Sequence, residues 1–272
     1  MVLFGGADND NYFGDTWTWD GTTWTQQHPA ISPRPRSGAG MAYDAAGRQV
    51  VLFGGMSSST DYLGDTWTWD GTTWTEQHPP LAPTPRTEVG MAYDAARRQV
   101  VLFGGAKDDQ AYGVTWAWDG TTWTVITNVG PKARSSMGMA YDGAARQVVV
   151  FGGLSSGAEP QLFRDTWTWD GTAWTIRQPS TAPSRRFAVG MAYDAARRQV
   201  VLFAGQDRQV VLDDTWTWSA GAWTQVSPPT SPSARAFISL SYAGAGQAIV
   251  LFGGCCNMND TWTWYGTTWT EH

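Results

Sequence analysis

The segment Val51-Leu52-Phe53-Gly54-Gly55 has counterparts at Val2–Gly6, Val101–Gly105, Val149–Gly153, Val201–Gly205 and Val250–Gly254. One glycine of the pair is altered, to Ala204. The phenylalanines of these segments, at 4, 53, 103, 151, 203 and 252, lie 49, 50, 48, 52 and 49 residues apart. A second block, Asp-Thr-Trp-Thr-Trp-Asp-Gly-Thr-Thr-Trp, starts at Asp15 and Asp65 and returns with small changes from Val114, Asp165, Asp214 and Asp260. All 18 tryptophans fall in these six blocks, three to each. A third block, Gly-Met-Ala-Tyr-Asp, begins at Gly40, Gly90, Gly138 and Gly190, and a degenerate fifth copy ends in Ser241-Tyr242. Whatever fold the unit adopts is repeated along the whole chain, and that decides the domain count before composition is considered.

Each unit reads as four short strands. Strand a is Gly90–Tyr93, followed by Asp94-Ala95-Ala96-Arg97, an Asp-led turn of type I character. Strand b is the β-branched and aromatic run Gln99–Phe103, ended by a glycine pair. Strand c is Thr66–Trp69, with Trp67 and Trp69 on one face and Thr66 and Thr68 on the other. Asp70-Gly71 then predicts a type I′ hairpin turn, with both residues at positive φ, leading into strand d at Thr73–Thr75. Units are joined by proline-rich links such as His78–Arg86, which lack the donors needed to continue a sheet.

Four-stranded units at a period of about 40–50 residues build propellers. The prediction is an all-β chain forming one domain over residues 1–272, a six-bladed β-propeller of four-stranded antiparallel blades. The blades fall at roughly 1–35, 36–85, 86–133, 134–184, 185–234 and 235–272. A hydrophobic strand ending in Gly-Gly, followed by aromatics and a tryptophan beyond a hairpin turn, resembles the kelch repeat over nearly the whole chain. The hairpin Trp69-Asp70-Gly71-Thr72-Thr73-Trp74 departs from the usual kelch pattern of a tyrosine and a longer turn, and is similar to bacterial kelch-like variants. The chain opens at strand b of the first unit and closes after strand d of the sixth. Hence 23 strands are visible where 24 are expected. The first blade is predicted to be three-stranded, without its innermost strand, and the natural product to begin upstream of Met1.

Charged residues make up only 15% of the chain, and the net charge is −6. Apart from Lys107 and Lys132, all the basic side chains are arginine. An acidic, lysine-poor chain argues against a nucleic-acid partner, whose phosphates call for a basic face. No apolar run reaches the length of a membrane span, and the opening residues are strand-like with no secretory leader. Adjacent Cys255 and Cys256 cannot build a disulfide framework.

Strand direction alternates within a blade, so b–c loops and d–a links emerge at one end and the short a–b and c–d turns at the other. The turns repeat closely. The b–c loops do not: Ala7–Gly14, Met56–Gly64, Ala106–Gly113, Leu154–Arg164, Gln206–Asp213 and Cys255–Asn259 differ in length and chemistry. Variable loops on a rigid frame are where recognition tends to sit, although unconstrained drift yields the same pattern. At the same end an arginine precedes most a strands: Arg36, Arg86, Arg134, Arg185 or Arg186, and Arg235. These are predicted to surround the mouth of the central channel and to bind an anion or carboxylate through their planar forks. Pro35-Arg36-Ser37-Gly38-Ala39-Gly40 is similar to the segment by which a kelch adaptor grips acidic peptides, and the resemblance implies such a role for Arg36 and its positional equivalents. Against it stands a structural reading, pairing with a neighbouring aspartate or capping carbonyls, which suits a residue repeated in every copy. The tryptophans occupy equivalent scaffold positions and are read as core rather than as sugar-stacking platforms. The aspartates that open the second block, Asp15, Asp65, Asp165, Asp214 and Asp260, read as structural too.

No catalytic constellation stands out. His28 and His78 repeat one another after strand d, with His272 near the equivalent place, and are read as duplicated loop residues rather than metal ligands. Asp8-Asn9-Asp10-Asn11 lacks the remaining pattern of a calcium loop. Some kelch propellers are copper radical oxidases, epimerases or iron-dependent enzymes, but no matching ligand set is assigned here. The sequence therefore predicts no cofactor and no metal. It favours a monomeric binding module for a protein or a small anionic ligand. The alternatives are a metal-dependent or sugar-processing enzyme on the same face, and a structural repeat domain of a larger protein.

Overall fold

The computed structural model of the 272-residue chain describes residues 1–9, 11–244, 246–255 and 258–272. Asp10 and Cys256, parts of the acidic loop and the cysteine pair singled out above, lie outside the described residues. The fold is a six-bladed β-propeller of antiparallel sheets, without a helix among the described residues. Blade 1 has three strands, Val2–Ala7, Tyr12–Trp19 and Trp24–Gln27, which correspond to b, c and d. Blade 2 has all four: Gly40–Asp44, Gln49–Phe53, Thr66–Trp69 and Trp74–Gln77. Blade 3 follows with Thr87–Asp94, Gln99–Lys107, Thr115–Trp118 and Trp123–Thr127. Blade 4 is Gly138–Asp142, Gln147–Phe151, Thr166–Trp169 and Trp174–Arg177. Blade 5 is Gly190–Asp194, Gln199–Phe203, Thr215–Ser219 and Ala222–Val226; blade 6 is Ser239–Ala243, Ala248–Gly254, Met258–Trp264 and Trp269–Glu271. The chain divides into two compact units: Met1–Ser135 with Ser156–Glu159, holding blades 1 to 3, and Ser136–Ser155 with Pro160–His272, holding blades 4 to 6.

The strand order follows from burial. Strand b is flanked by a and c and covered on both faces, so it can be apolar throughout: Val51, Leu52 and Phe53 have no exposed surface. Strand c alternates threonine and tryptophan, and all four of Thr66–Trp69 are buried. The cores lie between successive blades. In the first unit Val51 and Phe53 of blade 2 pack with Met91, Val100, Leu102, Trp116, Trp118 and Trp123 of blade 3. In four blades the tryptophan of the d strand makes the tie. Trp123 meets Phe53 edge-on at 5.5 Å, and its indole N–H donates to Thr66 Oγ1 on the preceding blade at 2.9 Å. Trp74 to Thr16, Trp223 to Thr166 and Trp269 to Thr215 repeat this bond at 2.9, 2.9 and 3.0 Å. Fourteen tryptophans are buried, and the other four, Trp17, Trp24, Trp167 and Trp174, are half-buried. None is laid open as a stacking platform.

The hairpin turn at Asp70-Gly71 is not the type I′ turn predicted. Gly71 has φ +109°, but Asp70 is not left-handed. Instead Asp70 Oδ1 accepts from the amides of Thr72 and Thr73, each at 2.8 Å, inside a four-residue loop between the paired Trp69 and Trp74. The side chain replaces the backbone turn, so no strained residue is needed. A two-residue turn with both φ positive does occur in blade 5, one of the two copies without Asp-Gly: Ala220 (49°) and Gly221 (83°), between paired Ser219 and Ala222.

Candidate functional site

The arginines ahead of the a strands point inward. Arg36 is 1% exposed. Its Nε donates to Arg34 O at 3.0 Å and its Nη1 to Gly54 O, at the end of strand b, at 2.9 Å. The outer edge of the guanidinium meets Asp65 in a fork, Nη1 to Oδ1 at 2.6 Å and Nη2 to Oδ2 at 2.7 Å. Arg186 with Asp214 and Arg235 with Asp260 repeat the arrangement, with Nη1 bonded to Ala204 O and Gly253 O. Each aspartate also accepts the indole N–H of the tryptophan two residues on, Trp67, Trp216 or Trp262, at 2.7 Å. The pair is thus a latch: it ties the link that enters a blade to the foot of that blade's b–c loop. Burial pushes the carboxyls of Asp65 and Asp214 upward, but hydrogen bonds and charge from the arginine, helped by the indole, outweigh it and hold both below the usual range. For Asp260 the Arg235 hydrogen bond is itself the largest influence, again downward.

The other predicted arginines divide. Arg134 is fully buried, with Nε donating to Lys132 O at 3.0 Å. Of the neighbours Arg185 and Arg186, the second takes the latch position, and Arg185 stays exposed. Arg86 is the exception in kind. It is 2% exposed and anchored as in the other blades, Nε to Thr84 O at 2.9 Å and Nη1 to Gly104 O at 3.2 Å, with Nη2 to Thr84 Oγ1 at 2.7 Å. Val114, however, stands where the other copies have aspartate. The Tyr112 ring lies over the guanidinium, 3.8 Å from Cζ to the ring centre. Burial lowers the Arg86 pKa to about 10, opposed by Tyr112.

The b–c loops rise from a uniform stem. In blade 2 the Leu63 amide donates to Gly55 O at 2.8 Å, and Leu63 O accepts the Arg86 amide at 3.0 Å. Tyr112, Phe163 and Leu212 hold the same place in blades 3, 4 and 5. Beyond the stem the loops diverge as small hairpins. Met56–Ser58 pairs with Asp61–Tyr62, where Asp61 binds Ser57 and Arg34 at 2.6 and 2.8 Å. In blade 3 Lys107 pairs with Gln110. Leu154 bridges Leu162 in blade 4, and Gln206 bridges Val211 in blade 5.

One set of residues was invisible to the sequence reading. The second residue after each latch arginine is left-handed: Gly38 (65°), Glu88 (56°), Ser136 (54°), Ala188 (52°) and Phe237 (57°). Their amides link neighbouring copies, Glu88 to Gly38 O at 2.7 Å, Ala188 to Ser136 O at 2.8 Å and Phe237 to Ala188 O at 2.9 Å. The backbone is constant and the side chain differs in every copy. Phe237, a bulky residue at positive φ, is 54% exposed and meets Phe187 edge-on at 6.2 Å. The signal available in the sequence was this lack of repetition inside a repeated segment.

His272 Nε2 lies 2.8 Å from Thr263 Oγ1, in the slot from which Gln27 and Gln77 reach Thr18 and Thr68. It is therefore the counterpart of those glutamines and not of the exposed His28 and His78. Among the described residues no group of three or more His, Cys, Asp or Glu side chains is placed to hold a metal ion. The sequence matches no protein-family model and no curated protein.

Proposed function

We propose that the chain is a binding module of kelch type, which presents its b–c loop tips and left-handed link residues to a protein or an anionic ligand. One contrast carries this reading. The loop stems of blades 2 to 5 and the buried arginines beside them recur from copy to copy, while the residues they hold, from Gly38 to Phe237 and from Asp61 to Val210, share neither size nor charge. A frame that fixes backbone positions while leaving side chains free suits recognition, because the entropy of ordering the loops is spent on folding and not on binding. Exposed Phe237 and Val210 supply apolar contacts at this end. The resemblance to kelch repeats points the same way.

The test is site-specific photocrosslinking. A photoreactive residue at Phe237 or Val210 should capture a partner that the same residue at Thr22 or Thr72, on the c–d turns, does not. Equal capture from both sets, or none from the first, would remove the reading.

A further inference from the structure

Val114 leaves more than one group without its usual acceptor. A guanidinium has five N–H donors. In Arg186 and Arg235 all five are used: Nε on a carbonyl, one donor on a b-strand carbonyl, one on a serine hydroxyl, and two on the aspartate. Arg86 makes the first three of these bonds, with Thr84 in the serine's role, so its guanidinium is held in the same orientation. One N–H on Nη1 and one on Nη2 remain, the two that elsewhere meet a carboxylate. The indole N–H of Trp116 is buried and has no acceptor, whereas its counterparts Trp67, Trp216 and Trp262 donate to that same carboxylate. Three donors from two residues therefore converge on one missing anion. A valine side chain ends at Cγ, one bond short of where aspartate oxygens lie. The place can be reached, because the equivalent aspartates are 21–25% exposed and Val114 and Tyr112 are half-buried.

We propose that Arg86 and Trp116 form a carboxylate-binding site in blade 3, in which a ligand supplies the acceptor that Asp65, Asp214 and Asp260 supply within their own blades. The carboxylate accepts the Arg86 fork in plane while Tyr112 covers the face of the guanidinium, and one oxygen also takes the Trp116 N–H. A planar carboxylate matches the fork in its plane and still offers an oxygen to the Trp116 N–H, as the aspartates of the other blades do. This site deepens the proposed function and rests on it for a natural ligand, but its chemistry is testable alone.

Acetate, an aspartate side chain freed of its backbone, is the probe, with chloride at equal ionic strength as reference. Acetate should raise the melting temperature saturably above the chloride value and shift one indole N–H resonance. In Val114→Asp, which restores the residue found in the other copies, that resonance should already be shifted and acetate should change nothing. A response equal to that of chloride, or undiminished in Val114→Asp, would overturn the site. A blocked Gly-Asp-Gly tripeptide separates the sources: tighter binding than acetate assigns the site to an acidic side chain of a polypeptide, weaker binding to a small free acid. Crosslinks from Phe237 without an acetate response would overturn this site alone. An acetate response without crosslinks would overturn only the wider reading.

Discussion

A buried guanidinium is stable only while its charge and donors are matched. Taking it out of water costs several kcal/mol, and a bidentate carboxylate is what offsets that cost in blades 2, 5 and 6. Asp65→Val, which copies the blade 3 arrangement into blade 2, should destabilise the protein by about 3–5 kcal/mol in urea denaturation, because Leu63 stands where Tyr112 stacks on Arg86. Val114→Asp should do the reverse and raise stability by about 1–3 kcal/mol as three donors regain an acceptor. Wild-type-like stability in Asp65→Val would show that water serves the buried arginine as well as aspartate does. The same pairs set an acid limit. The folded carboxyls of Asp65, Asp214 and Asp260 lie below their unfolded values, so their contribution is complete above about pH 4 and is lost as pH falls through the depressed folded values. Melting temperature should drop steeply below pH 4, and Asp65→Asn should flatten part of that drop.

At the level of the element, the first glycine after a b strand answers a steric demand. Gly54 has φ +70°, and a Cβ there would come within 2.5 Å of Arg86 O. Blade 5 carries Ala204 at this position with φ 62°. Ala204→Gly should stabilise the chain by about 0.5–1 kcal/mol, the left-handed strain relieved less the entropy a glycine adds to the unfolded state. Loss of stability on that change would mean that the alanine methyl packs better than its backbone suffers. Strands b and c were legible in the sequence because their periodicity and burial are local. The Asp70 turn was misread because the same Asp-Gly pair serves two turns, and only the amides of Thr72 and Thr73 decide between them. The left-handed link residues left no mark beyond their failure to repeat, since a position defined by backbone alone accepts glycine, glutamate, serine, alanine or phenylalanine.

For the molecule as a whole, the six-bladed architecture and the three-stranded first blade could be read from the repeat, which states the fold as many times as it occurs. The depth of the arginines could not. Arg36 and Asp65 are 29 residues apart, and nothing in the spacing tells whether a guanidinium faces solvent or a carboxylate. In arrays of this kind stability is close to a sum of unit and neighbour terms, so a change confined to one loop tip stays local. Exchanging Ser57–Asp61 for the blade 5 tip Asp207–Val210 should move the melting temperature by no more than about 2 °C, the usual range for surface changes, while altering what is captured. A larger drop would place the tip within the frame. The stem below the tip, closed by Gly55, Leu63 and the Arg86 amide, thus sets out a working boundary for engineering. Residues between Met56 and Tyr62 can be randomised as a library with the latch untouched, which makes this chain a display framework whose grafting sites are marked by its own hydrogen bonds.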